Sequence, residues 1–171
     1  MTPRALRLFP LAYHVSLQAY GQWVPGDPRG WHRRGDGAFA PPRPGHVVLQ
    51  AMSRELQRQP TATITDALRG PVVDAIAAIA LGRAWTVHAV ATAPSHLHVV
   101  VTADVMGVAL LRVIREESVA ALARRGLVEP TRRLWSAGGY FTMVHTVREL
   151  ERACGYVERQ RVGRDDERDG G

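Results

Sequence analysis

The sequence predicts an α+β domain built on antiparallel strands. Two observations carry this. Residues 84–92 (AWTVHAVAT) and 96–102 (HLHVVVT) are rich in strand formers and are parted only by the break at Pro94 and Ser95, so they read as antiparallel neighbours in a hairpin. Before and after them lie longer segments whose apolar residues recur at helical spacing. The chain has 171 residues, enough for one domain with its own core.

Taken in order, residues 11–20 (LAYHVSLQAY) alternate as a first strand, with Tyr13, Val15 and Leu17 on one face and His14, Ser16 and Gln18 on the other. His14 reads as a structural or surface residue, with a place near the site as the minor alternative. Residues 21–46 form a long loop of Gly, Pro and Arg without periodicity. Residues 47–58 have helical spacing at Val48, Met52 and Leu56. Thr65 or Asp66 can cap a second helix to about Leu81, and Pro71 places its proper start near that residue, with Gly82 as the stop. Residues 105–125 are a strong helix with Val108, Leu111, Val113, Ile114, Val119 and Leu122 on the buried side. A loop and a short strand follow over 131–145, with Gly138-Gly139 permitting close approach of a backbone or ligand. Thr146-Val147-Arg148-Glu149 is a capping box, and its helix runs to about Arg161 with Leu150, Cys154 and Val157 buried. The domain thus spans 1–162, and 163–171 (GRDDERDGG) is expected to be a disordered polar tail.

Composition narrows the function. Apolar residues make up 46% and charged residues 22%, as in an ordinary globular protein. The net charge of +6 points to a polyanionic partner. Every basic residue is arginine and none is lysine, which reflects genome base composition more than selection for binding. Trp23 and Trp31 interleave with Arg29, Arg33 and Arg34, a mixture suited to base stacking and phosphate pairing. For Trp23 the structural role of pinning the loop is preferred; Trp31 is left open. Arg112, Arg115, Arg132 and Arg133 are further candidate phosphate contacts, although a solvated helix face accounts for any one arginine on 105–125 more simply. The single Cys154 excludes an internal disulfide and a Cys-based zinc cluster, and a reducing setting fits. No secretory signal, membrane-spanning run or GxxxxGK[ST] loop is present in the sequence, so a cytoplasmic protein without a nucleotide cofactor or membrane partner is expected.

Two stretches carry chemistry. On a strand His96 and His98 share a face, about 7 Å apart, and Leu97 points into the opposite layer. Alone, the pair reads as two surface or hydrogen-bonded histidines. On the last helix Tyr156 and Gln160, four apart, are neighbours on one face. A glutamine carbonyl can complete a two-histidine metal site. Such a site lacks a carboxylate and would leave a divalent ion its full charge for polarising a phosphate. It suits a structural zinc poorly.

With both stretches in hand, the chain resembles the single-tyrosine transposases of the His-hydrophobic-His nuclease superfamily, and most of all the REP-associated tyrosine transposases. His96-Leu97-His98 after Pro94, and Tyr156-x-x-x-Gln160 on the last helix, carry the likeness. Residues 13–31 (YHVSLQAYGQWVPGDPRGW) and 134–140 (LWSAGGY) support it, and it covers roughly 12–161. The resemblance implies a ferredoxin-like (RRM-like) antiparallel sheet with helices on one face plus a C-terminal catalytic helix. It implies Mg²⁺ or Mn²⁺ held by His96, His98 and Gln160. It also implies attack by Tyr156 on single-stranded or hairpin DNA, leaving a 5′-phosphotyrosine and a free 3′-OH that strand joining reverses. A nucleoid-associated location would follow. The alternative is a domesticated protein that binds hairpin DNA without cutting. Relatives often carry Asn where this chain has Ser95, a change expected to loosen the turn. The resemblance leaves monomer or homodimer open.

Overall fold

The computed structural model describes residues 8–33 and 41–162. Arg34 and the polar tail expected over 163–171 lie outside the described residues.

The chain forms strand β1 (Ala12–Gln18), helices α1 (Val47–Glu55) and α2 (Asp66–Gly82), strands β2 (Thr86–Ala93) and β3 (His96–Thr102), helix α3 (Gly107–Arg124), strand β4 (Tyr140–Val144) and helix α4 (Val147–Val162). The strands make one antiparallel sheet in the order β2-β3-β1-β4. That is the split βαβ arrangement of a ferredoxin-like fold, with α4 appended.

Period two along each strand sorts the residues into two layers. On one face Tyr13, Val15, Leu17, Leu97, Val99 and Val101 pack with Val72, Ile76 and Ile79 of α2 and Leu110, Ile114 and Leu122 of α3. On the other, Ala12, Ala89, Ala91, Val100 and Val144 pack under Val157 of α4, with Leu150, Ala153 and Cys154 alongside. Alanines on β2 let the α4 backbone approach closely, whereas the aliphatic face holds its helices off with longer side chains.

β2 contains one irregularity. Val87 pairs with Val101 and Ala89 with Val100, so His88 is an extra residue bulged from the ladder. Its Nε2 lies 2.8 Å from Thr102 Oγ1 on the surface. The Pro94–Ser95 turn is tied down on both sides: the Ile64 amide donates to the Pro94 carbonyl at 2.9 Å and the Ala19 amide to the Ser95 carbonyl at 2.8 Å.

Two expectations change. The helix expected to begin near Pro71 begins at Asp66, after Thr65 as N-cap, with Pro71 inside it. Carbonyl contacts at Thr65 from the Leu68 and Arg69 amides already close the first turn, and the proline removes one donor. Val108 is exposed, because the buried stripe of α3 runs through Leu110, Ile114, Ser118 and Leu122 at spacing four. Helix α1 forms as its spacing predicts but buries no residue; Val48, Met52 and Leu56 face solvent.

The capping box forms as read. Glu149 Oε2 accepts from the His145 and Thr146 amides at 2.7 and 3.2 Å, and Thr146 Oγ1 accepts from the Glu149 amide at 3.2 Å. These amides, His145 first, hold the Glu149 carboxyl below its ordinary range. The box fixes where α4 starts, and so which residue of α4 lies over the histidines.

Candidate functional site

The α4 side of the sheet places its side chains on a grid set by register. Ala93, His96 and Gln18 form one cross-strand row; Ala91, His98, Ser16 and Tyr140 the next; Ala89, Val100, His14 and Thr142 a third. His96 and His98 therefore do share a face, with ring centroids 4.9 Å apart. Leu97 between them is fully buried in the opposite layer.

Helix α4 brings Tyr156 onto this grid within one chain. Its ring lies 5.5 Å from the His98 ring and 5.6 Å from the His14 ring, edge to face in both cases. Val157, next in sequence, is fully buried against the alanines and Val100, which locks the rotation of the helix and turns Tyr156 toward the imidazoles. The phenol remains 41% exposed, enough for a substrate to reach it. Gln160 sits one turn further along the same helix and is partly buried.

Each imidazole of the pair has a serine hydroxyl at Nδ1: Ser16 Oγ 2.7 Å from His98 and Ser95 Oγ 3.0 Å from His96. His14 Nε2 is 3.2 Å from His98 Nδ1, with the rings 5.2 Å apart. Burial lowers the His14 pKa and so disfavours its charged form. Where the hydroxyls accept Nδ1–H, the lone pair of each ring is left on Nε2, a tautomer that can ligate a metal. Among the described residues no three His, Cys, Asp or Glu side chains could hold a metal together. Two imidazole nitrogens with an amide oxygen would be a mixed nitrogen and oxygen donor set, of a kind that Mn²⁺ accepts readily and Mg²⁺ less so.

Of the further members of this cluster, His14 is only a minor candidate for the site in the sequence reading, Ser95 only a departure from relatives, and Ser16 has no role there. The signal for His14 and Ser16 was present, since alternation put them on one face of β1; what was missing was the pairing of β1 with β3.

Among the described candidate nucleic-acid contacts, Arg115, Arg132 and Arg133 line one shallow hollow and Arg112 shares an adjoining one with Arg115, whereas Trp31 and Arg33 belong to the long loop. Trp31 donates its indole N–H to the Pro44 carbonyl at 3.0 Å, under the Arg43 guanidinium, and Trp23 donates to Gly30 at 2.6 Å under Arg29. Both tryptophans thus order the long loop. Arg33 is exposed at the end of the described part of that loop. Arg132 spans carbonyls of Pro60 and Thr61 at 2.9 and 3.2 Å, an architectural tie, and Arg133 lies over the Tyr20 ring. Arg112 and Arg115 line an open hollow of about 520 Å³ with Met106, Leu111 and Gly139. Arg115 also donates to the Ala137 carbonyl there.

A ferredoxin-like sheet with a histidine pair on one face and a tyrosine helix laid across it defines the class of architecture. Two solved structures are similar to this chain in fold. One is a REP-associated tyrosine transposase bound to a REP hairpin, similar with a TM-score of 0.52 and 11% identity over 95% of this chain and 73% of that one. The other, described as a transposase candidate from Deinococcus radiodurans R1, has a TM-score of 0.50 and 13% identity over 94% of this chain and 98% of that one. At this identity the likeness is one of fold. No protein-family profile and no curated protein sequence matches the chain. Among the described residues, no helix is long and apolar enough to cross a membrane.

Proposed function

We propose that the protein is a DNA-strand transferase that nicks single-stranded or hairpin DNA through a tyrosine-linked intermediate. The observation that supports this most is the packing of the Tyr156 ring against His98 within one chain, since the imidazole pair and the phenol come from elements 58 residues apart in sequence (98 to 156). The hairpin-bound structural neighbour and the net charge of +6 favour DNA as the partner.

In this reading Tyr156 Oη attacks the phosphorus. The P–O3′ bond breaks, O3′ takes a proton and leaves as a 3′-OH, and the phenol proton is lost to solvent or a neighbouring base. The phosphate stays joined to the 5′ oxygen and to Tyr156. Reversal by another 3′-OH joins strands with no nucleotide cofactor, since the bond energy is kept in the phosphotyrosine. His96, His98 and Gln160 would hold Mg²⁺ or Mn²⁺, which supplies charge stabilisation at the phosphate oxygens when bound. Ser16 and Ser95 keep the two rings in the ligating tautomer. Burial disfavours a positive charge on His14, which would otherwise repel that ion. Val157 and the alanine rows hold Tyr156 over the site.

The test is incubation of the chain with labelled single-stranded DNA from beside its gene and Mn²⁺, followed by denaturing electrophoresis. A covalent protein–DNA band is expected for the parent. Loss of at least about a thousandfold is expected for Tyr156→Phe, at unchanged melting temperature. An adduct that persists in Tyr156→Phe would refute the assignment. Salt-dependent binding with no adduct under any metal would instead identify a non-cleaving binder.

A further inference from the structure

We propose that Tyr140 is a stacking platform for the nucleobase adjoining the phosphate that the histidine pair and Tyr156 address. This rests on the reading above and adds a subsite to it. Tyr140 stands in the same cross-strand row as Ser16 and His98, on the face that carries the imidazoles. Two strand spacings separate it from His98, about 10 Å. Helix α4 covers the β2 and β3 side of that face, and it leaves the β4 side open: Tyr140 is 64% exposed and Thr142 beside it is exposed. Among the described residues the Tyr140 ring and hydroxyl have no hydrogen bond, ion pair or ring contact.

The backbone beneath this ring is fixed on both sides. Before it, Gly139 lies so close to β1 that a Cβ there would fall 2.8 Å from Leu17 Cδ2 and 3.1 Å from Leu111 Cδ2. After it, Phe141 turns into the aliphatic core, edge-on to Tyr13 with centroids 5.8 Å apart. Phe141 also presses on Gly107, where a Cβ would fall 2.3 Å from its ring. A large apolar ring is thereby held in solvent by a fixed strand, beside Ser16 in its own row and one row from Gln18 and Thr142. That is the arrangement by which a four-stranded sheet receives an unstacked base: an aromatic face for any base, with hydrogen-bonding groups at its rim. A duplex offers no free base face to such a ring, so the platform favours single-stranded or unpaired nucleotides.

The experiment uses the full chain carrying Tyr156→Phe, so that no covalent capture occurs, in Mg²⁺. Fluorescence anisotropy follows labelled (dT)₁₂ and a (dT)₁₂-length strand of abasic sites. Tyr140→Ala is expected to weaken (dT)₁₂ binding by about 5- to 100-fold, with no change in melting temperature. Tyr140→Phe and Tyr140→Trp are expected to bind within about twofold of the parent, because the ring and not the hydroxyl supplies the contact. The abasic strand should bind the parent and Tyr140→Ala alike. Equal (dT)₁₂ binding by the parent and Tyr140→Ala overturns the platform and leaves nicking by Tyr156 standing. So does an equal loss on the abasic strand, or a Tyr140→Phe as weak as Tyr140→Ala. Failure of the parent to bind (dT)₁₂ at all overturns the platform and the DNA reading together.

Discussion

The two faces of the sheet are built from different materials. Toward α2 and α3, β1 and β3 present Tyr13, Val15, Leu17, Leu97, Val99 and Val101 to a large aliphatic layer. Toward α4 the same strands present His14, Ser16, Gln18, His96 and His98, and β2 presents three alanines. One layer excludes water and stabilises the domain. The other sacrifices apolar burial to keep imidazoles, hydroxyls and a phenol within contact of each other. Because strand residues alternate, each β1 and β3 residue serves one task, and neighbours in sequence serve opposite ones.

Leu97 should break the fold hardest, although it sits between the two histidines. Leu97→Ala removes a fully buried side chain and is expected to cost about 2–5 kcal/mol in chemical denaturation. The contrast between the faces fails if His98→Ala costs as much. Ala91→Leu inserts bulk under α4 beside His98 and is expected to cost about 1–3 kcal/mol. Its effect on adduct formation should exceed its effect on stability, because it lifts Tyr156 from the pair.

Outside both layers, Asp27 is buried in the long loop and accepts three hydrogen bonds from Arg29, at 3.0, 2.8 and 2.7 Å. The guanidinium holds its carboxyl down to about 2. A depressed carboxylate stabilises the fold fully above its unfolded value of about 3.9, and the contribution fades as pH falls through about 2. Arg29 is half exposed, so solvent screening limits the effect: Asp27→Asn is expected to lose about 1–2 kcal/mol at neutral pH. It should also flatten the acid limb of the stability curve between about pH 4 and pH 2. Ser16→Ala should be the mildest change to the fold, under about 1 kcal/mol. Calorimetric titration should nevertheless show Mn²⁺ affinity lowered about 10- to 100-fold, since His98 loses the hydroxyl that sets its tautomer.

Much of this was legible in the sequence where a short-range rule applied. The strand 96–102 and the capping box at Thr146 are set by neighbours within a few residues, and both appear where they were read. Long-range pairing was not legible. Nothing local to His14 shows that β1 pairs with β3, and the register of β2 could not be read because its bulge breaks period two at His88. The exposure of α1 was hidden for a related reason: its spacing is helical whether or not another element comes to cover it. The roles of Tyr156 and Gln160 rested on the family resemblance, and the packing of Tyr156 on His98 is what the structure adds to it.

The bulge at His88 carries a consequence for how β2 tolerates change. It inverts the parity of the strand midway, so Val87 reaches the aliphatic layer while Ala89, Ala91 and Ala93 stay beneath α4. Excising His88 alone would leave Val87 and Ala89 as consecutive rungs opposite Val101 and Val100, a regular ladder with every other inward and outward assignment preserved. Excising Val90 would instead draw His88 into the ladder opposite Val100, beneath α4, and turn Ala89 toward the aliphatic layer in place of a valine. Of these two single-residue deletions, the first should cost less stability.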